Sequence, residues 1–299
     1  MRKNFVAISV FFLFLGKAQI DPVKYPTYTS IEAALSSGKT VYSMSFRGKG
    51  LFNVPPQIRT LDSLFFLNLM ENKLEKMDQE IFTLKELEIL NASQNSIKFI
   101  PDGIGDLKKL KSLSISLNSL TDINPNIAKL QNLKAIHLDA NNLNVFPEAL
   151  MEIPALEEIN LQGNQISFIS EHLDRIKSLR SLNLSANQIN DLGDLEFPEQ
   201  LKYLELQQNG IVKLPESLFR LKNLEFLNVS QNNIREIPSK IKGLKNIVSL
   251  NLAHNGLKDL PTEISQLKYL KTLILTGNPI KKTTVEKLKA LMPETQIYF

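Results

Sequence analysis

Leu224-Glu-Phe-Leu227-Asn-Val229-Ser-Gln-Asn232-Asn-Ile234 is one turn of a pattern that governs almost the whole chain. Apolar residues alternate at Leu227 and Val229, the period of a strand with one buried face. The same L-x-x-L-x-L-x-x-N-x-L frame recurs at Leu87–Ile97 and Leu110–Leu120. Asparagine closes each copy, at Asn72, Asn95, Asn118, Asn141, Asn164, Asn187, Asn209, Asn232, Asn255 and Asn278. Eight of the nine gaps are 23 residues; the gap from Asn187 to Asn209 is 22. A fixed period of this length marks a solenoid, whose repeats bury their apolar faces on one another.

A degenerate copy, Val41-Tyr-Ser-Met44-Ser-Phe46 with Lys49 in the asparagine position, brings the strand motifs to eleven. Between strands the chain reads Leu214-Pro-Glu-Ser-Leu218-Phe-Arg-Leu221 and its variants. Apolar residues three apart there predict a helical turn on the opposite face. Pro101, Pro147, Pro215, Pro238 and Pro261 stand where such a helix can begin, since a missing N–H costs little there. Each asparagine amide offers two donors and an acceptor, and the ladder is expected to satisfy backbone groups of neighbouring turns.

Ten such copies resemble the leucine-rich repeat family, in its 23-residue class with L-P-x-x-I between strands, over about residues 41 to 280. The resemblance implies an α/β repeat solenoid: a horseshoe with a parallel concave sheet of about eleven strands and short convex helices or turns. It implies a binding scaffold and says little about the ligand. Exported animal and plant members commonly have disulfide-bonded caps. This chain has no cysteine, so an exported bacterial protein is the better fit. Members that act as ubiquitin ligases carry an added cysteine-dependent domain, and a chain without cysteine cannot.

The N-terminus reads as a secretory signal: Arg2 and Lys3, an apolar run from Phe5 to Gly16, then small residues before cleavage after Ala18. The run is short for a membrane span; an uncleaved anchor is the competing reading, and no later segment is apolar enough to be transmembrane. The expected organisation is signal peptide 1–18, N-terminal cap 19–40, repeats 41–280 and C-terminal cap 281–299. Thr29-Ser-Ile-Glu32 predicts a capping box opening a short helix. Thr283 or Thr284 is expected to start an amphipathic helix, and Gln296–Phe299 to add a last strand. Caps and repeats leave no stretch within the chain for a separate catalytic domain.

Net charge is +4, and loss of Arg2, Lys3 and Lys17 with the signal takes it to +1. That excludes an electrostatic case for nucleic acid. Lys85, Lys108, Lys177, Lys222, Lys245 and Lys268 recur before the strands, as a solvated ridge or as an anionic-surface contact. Sequons at Asn91, Asn183 and Asn228 read as byproducts of the strand motif. No cofactor, metal or phosphate-loop pattern is present. His137, Asp139 and Glu158 share an outward face without a pocket to shift a pKa. The 22-residue repeat replaces Leu-Pro by Asp191-Leu-Gly193-Asp194-Leu-Glu196-Phe-Pro198-Glu199, either a tolerated deletion or a cation-binding or recognition bend.

A protein partner is expected on the concave face, where consensus departures are most informative. Tyr203 and Phe226 adjoin in one outward column, surrounded by Glu205, Gln207, Gln208 and Gln231, with Asn228 a further candidate contact. Nearer the N-terminus, Phe66, Ile89 and Met70 form an apolar group beside Arg47. Exposed aromatics with polar rims mark contact sites. The same aromatic platforms would suit a glycan, the alternative ligand class for a surface adhesin.

Overall fold

The computed structural model describes residues 25–299. The expected signal peptide, with Ala18, lies outside the described residues. The described chain forms one open sheet of thirteen strands, each paired in parallel with the next in sequence. The strands are β1 (Thr27–Tyr28), β2 (Ser43–Ser45), β3 (Phe66–Asn68), β4 (Ile89–Asn91), β5 (Ser112–Ser114), β6 (Ala135–His137), β7 (Glu158–Asn160), β8 (Ser181–Asn183), β9 (Tyr203–Glu205), β10 (Phe226–Asn228), β11 (Ser249–Asn251), β12 (Thr272–Ile274) and β13 (Gln296–Tyr298). Two helices, α1 (Ile31–Ser36) and α2 (Lys282–Leu291), flank the array. The eleven motif strands are β2 to β12; β13 is the expected last strand, and β1 is an addition.

The convex side carries 3-10 helices, among them Asp102–Asp106 and Glu216–Arg220. The motif prolines stand one position before these helices, in extended backbone. Their carbonyls take the first helical bond, as from the N–H groups of Ile104 (3.1 Å) and Ile241 (3.0 Å). Strand leucines and convex apolar residues meet in one continuous core, in which Leu67, Leu69, Leu74, Ile81 and Leu84 are fully buried.

The asparagine ladder does the work expected of it. Asn187 Oδ1 accepts from the Ile166 N–H in the preceding repeat (2.9 Å), and its Nδ2 donates to the carbonyls of Leu161 and Leu184 (3.0 Å each). All ten asparagines repeat this bridge. Just before the ladder position stands a residue of positive φ, from His254 (51°) to Glu71 (59°) among non-glycines, with Gly48, Gly163 and Gly277 completing the column.

The short repeat changes only the convex loop. Strands β8 and β9 keep register, Ser181 opposite Tyr203 and Asn183 opposite Glu205. No helix forms between them, yet Leu192, Leu195 and Phe197 still reach the core. Two of its four carboxylates are separately engaged: Asp191 accepts from the Gly193 N–H (2.9 Å), and Glu196 holds Arg220 through both oxygens (2.6 and 2.8 Å). Among the described residues, no group of three or more potential ligands could hold a metal.

Both end helices start differently from the sequence expectation. Ser30, not Thr29, caps α1, its Oγ accepting from the Ala33 N–H (3.1 Å). Glu32 then falls in the first turn, where it complements the helix dipole but is not the third residue a capping box needs. Helix α2 begins at Lys282 without a side-chain cap; Thr284 instead donates to Asp259 Oδ1 (3.0 Å).

Asn187→Ala orphans the buried Ile166 N–H and removes one of the two asparagine donors from each of the Leu161 and Leu184 carbonyls, and should lower unfolding free energy by about 1–3 kcal/mol. Asn187→Asp should cost more at neutral pH, since a carboxylate would face those carbonyls. Urea unfolding measures both; an aspartate variant as stable as the parent would show that the amide N–H groups hold nothing. Gly243 tests the stacking of convex turns. A Cβ there would lie 2.0 Å from the Phe219 carbonyl oxygen, backbone of the preceding repeat. Gly243→Ala should destabilise by about 1–3 kcal/mol. Gly210→Ala, whose nearest contact is 3.4 Å, should shift the urea midpoint far less; equal shifts would refute close repeat packing as the cause.

Candidate partner-binding site on the concave sheet

Three outward columns cross the sheet. The first holds Phe66, Ile89, Glu158, Tyr203 and Phe226; the second His137, Glu205 and a series of asparagines; the third Met70, Asp139, Gln162, Ser185 and Gln207. Pairing sets Tyr203 beside Phe226 and Glu205 between Asn183 and Asn228. It also sets Phe66 beside Ile89. Tyr203, Glu205, Gln207, Phe226, Phe66, Met70 and Ile89 are all half-buried. The two apolar groups share a face but not a site: from β4 to β9 is five strand steps, about 24 Å at ~4.8 Å per strand.

The second column is a further structural ladder. The side-chain oxygens of Asn68, Asn91, Asn160, Asn183, Asn228 and Asn251 accept from the N–H two residues on, closing each strand end at 2.9–3.1 Å. Asn183 is 2% and Asn228 6% exposed, and their Nδ2 groups donate to the Gln162 and Gln207 side-chain oxygens. Asn228 therefore positions Gln207 rather than offering a free amide. These same bonds make the Asn183 and Asn228 sequons poor acceptors for a glycan.

The central strands carry a polar network. His137 Nε2 lies 3.1 Å from Glu158 Oε1. Asp139 Oδ1 accepts from Ser116 Oγ (2.6 Å) and Asn160 Nδ2 (3.1 Å). These groups satisfy one another across adjacent strands of the open sheet. At the N-terminal end Arg47 and Glu71 form a bidentate pair (2.6 and 3.1 Å), which holds the Glu71 carboxyl below and the Arg47 guanidinium above their ordinary ranges.

Glu205 differs from these carboxylates. No hydrogen bond or ion pair engages its side chain among the described residues, and burial pushes its pKa up. The lysine just before its strand, Lys202, is held by Glu225 (2.7 Å).

Two features escape sequence reading. Tyr25, Tyr42 and Phe65 form an aromatic cluster with centroids 5.3 to 6.1 Å apart. The 23-residue spacing of Tyr42 and Phe65 is the one signal that could have paired them. An open groove of about 710 Å³ at the turns after β9 to β12 is lined by Val212, Arg235, His254, Gly256 and Gly277; its signal is the pair of glycines Gly256 and Gly277. The lysine ridge is exposed throughout, with Lys85 and Lys177 held by Asp106 and Asp174.

A carboxyl whose folded pKa is raised favours folding when protonated, and that contribution is lost as pH rises through the folded pKa. Glu205→Gln should therefore raise the thermal midpoint at neutral pH, and the gain should vanish near pH ~4, where the parent carboxyl is itself protonated. A gain equal at both pH values would refute burial of charge as its source.

Two family profiles match the repeats. One, the leucine-rich repeat region, covers residues 158–293; the other, leucine rich repeat, covers 62–120 and 108–166. No curated protein matches the chain in sequence. Among solved structures, an internalin, InlF of Listeria monocytogenes, is 22% identical over 86% of this chain and 80% of its own, with a TM-score of 0.68. The functional domain of InlJ from the same organism is 20% identical over 87% of this chain, TM-score 0.71, and a TDR receptor is 26% identical over 85%, TM-score 0.64. The chain spans only 53% and 50% of those two. No helix of the described residues is long and apolar enough to cross a membrane. With profiles spanning 62–293 and the sheet in register throughout, the chain belongs to the leucine-rich repeat family.

Proposed function

We propose that this chain is a non-enzymatic binding module that captures a protein partner on its concave sheet, with Tyr203 and Phe226 as the anchor. The observation that carries this reading is the half-buried aromatic pair, in register on β9 and β10, rimmed by Glu205 and Gln207. Anchors of this composition dominate the energetics of protein interfaces. Phe66, Ile89 and Met70 supply a second contact toward the other end of the same face. A standard interface needs about 800 Å² per partner, within reach of a sheet of this length. The likeness to internalins and a receptor supports recognition as the task. Export follows from the Phe5–Gly16 run and the Ala18 cleavage site, and N-terminal sequencing of the mature protein should begin at Gln19. A glycan ligand is the second reading, favoured by the Tyr203 ring among amide side chains.

Crosslinked pull-down from the native surface decides between them. Tyr203→Ala with Phe226→Ala should weaken partner capture by at least about 2 kcal/mol, roughly thirtyfold in Kd. Unchanged capture by the folded double variant would remove this patch as anchor. Binding to a glycan array with no captured protein would replace the protein reading by the second one.

A further inference from the structure

We infer that Glu205, in the column next to the paired Tyr203 and Phe226 positions, is the seat for an arginine side chain of the partner. This rests on the concave-face reading above and specifies the chemistry recognised there. The outward columns are the starting point. Among the described residues, each of their other carboxylates is engaged within the chain: Glu158 by His137, Asp139 by Ser116 and Asn160. Glu205 stands where its neighbours have asparagine, yet Asn183 and Asn228 aim their amide nitrogens at Gln162 and Gln207 instead. The nearby cations are also committed, Lys202 to Glu225 and Arg180 to Glu157.

The result is a half-buried carboxylate left without a counter-charge, on a surface whose unpaired charge is negative. Desolvation disfavours its ionised form, and an incoming cation would relieve that cost. Arginine fits better than lysine. Its planar guanidinium can bond a carboxylate through two N–H groups while its faces lie against aromatic rings. Tyr203 and Phe226 supply those rings from the adjoining first-column positions of β9 and β10.

The test is selection of a phage-displayed random linear peptide library on the full chain, with p-benzoylphenylalanine at position 207 to report concave-face contact. Selected peptides that crosslink there should carry arginine. By titration calorimetry, Arg→Ala in the peptide and Glu205→Gln in the protein should each weaken binding at least tenfold, and the two losses should not add. Arg→Lys should weaken it severalfold, and the convex control Glu216→Gln should leave it unchanged. Glu205→Gln is expected to be at least as stable as the parent, so lost binding cannot be lost folding. Peptides that crosslink at position 207 but lack arginine, or bind Glu205→Gln equally well, overturn the inference and leave the concave-face reading standing. Peptides that all crosslink elsewhere, or a selection that yields none, overturn both.

Discussion

The structure depends on what happens to backbone polar groups where each strand ends. The chain must leave a three-residue strand and turn outward while its core side chains stay buried. That turn removes an N–H of the preceding repeat and carbonyls on both sides from water, and each left unpaired would cost about 1–3 kcal/mol. One asparagine amide satisfies them together, bonding to the preceding repeat as well as to its own. The ladder is therefore both a cap for every turn and the tie between successive turns. It also over-determines the left-handed residue before it, so that Leu117 or Gln231 can occupy a conformation that glycine would adopt more freely.

Because the tie is made at the strand exit, the two halves of a repeat answer to different constraints. The concave half is held in register at every step, even across the one short repeat, where Asn209 still bonds to the Ile189 N–H and the Leu184 carbonyl. The convex half need only deliver apolar side chains to the core. Asp191–Glu199 does this without a helix, through Leu192, Leu195 and Phe197. The one short repeat is thus absorbed on the convex side while the concave surface keeps a fixed geometry, which suits a recognition surface built from side-chain identity alone.

The period, the strands and the inward leucines were legible because they are properties of side-chain order. So were the two apolar groups on the outward face, since alternation in a strand assigns each residue to a side. The left-handed column was not: eight of its positions are ordinary residues such as Glu71 and Ala140, and only the tertiary bonds force that conformation. Strand β1 was missed because two residues, Thr27 and Tyr28, carry no pattern; Thr27 is placed by its hydroxyl against Ser43 (2.8 Å). The Thr29 cap failed by one residue, because Thr29 and Ser30 are chemically equivalent candidates. Asn228 looked outward by alternation, and it is; sequence could not show that its neighbours cover it and that its amide is already committed.

The second asparagine ladder separates scaffold from function on the concave face. Where asparagine recurs, the side chain closes its own strand end, so the residue is explained by the fold. Ser45, Ser114, His137, Glu205 and Ile274 depart from that series. His137 is explained again by Glu158, with which it pairs. Glu205 has no such account: a carboxylate cannot donate to Ser185 of the preceding repeat as Asn183 and Asn228 donate to Gln162 and Gln207, and burial works against its charge. In an array whose stability is roughly a sum of repeats and their interfaces, one unfavourable residue is carried by its neighbours without loss of the fold. A position that costs the scaffold something, gains nothing within the chain, and adjoins a pair of aromatic residues is where selection for binding would leave its mark.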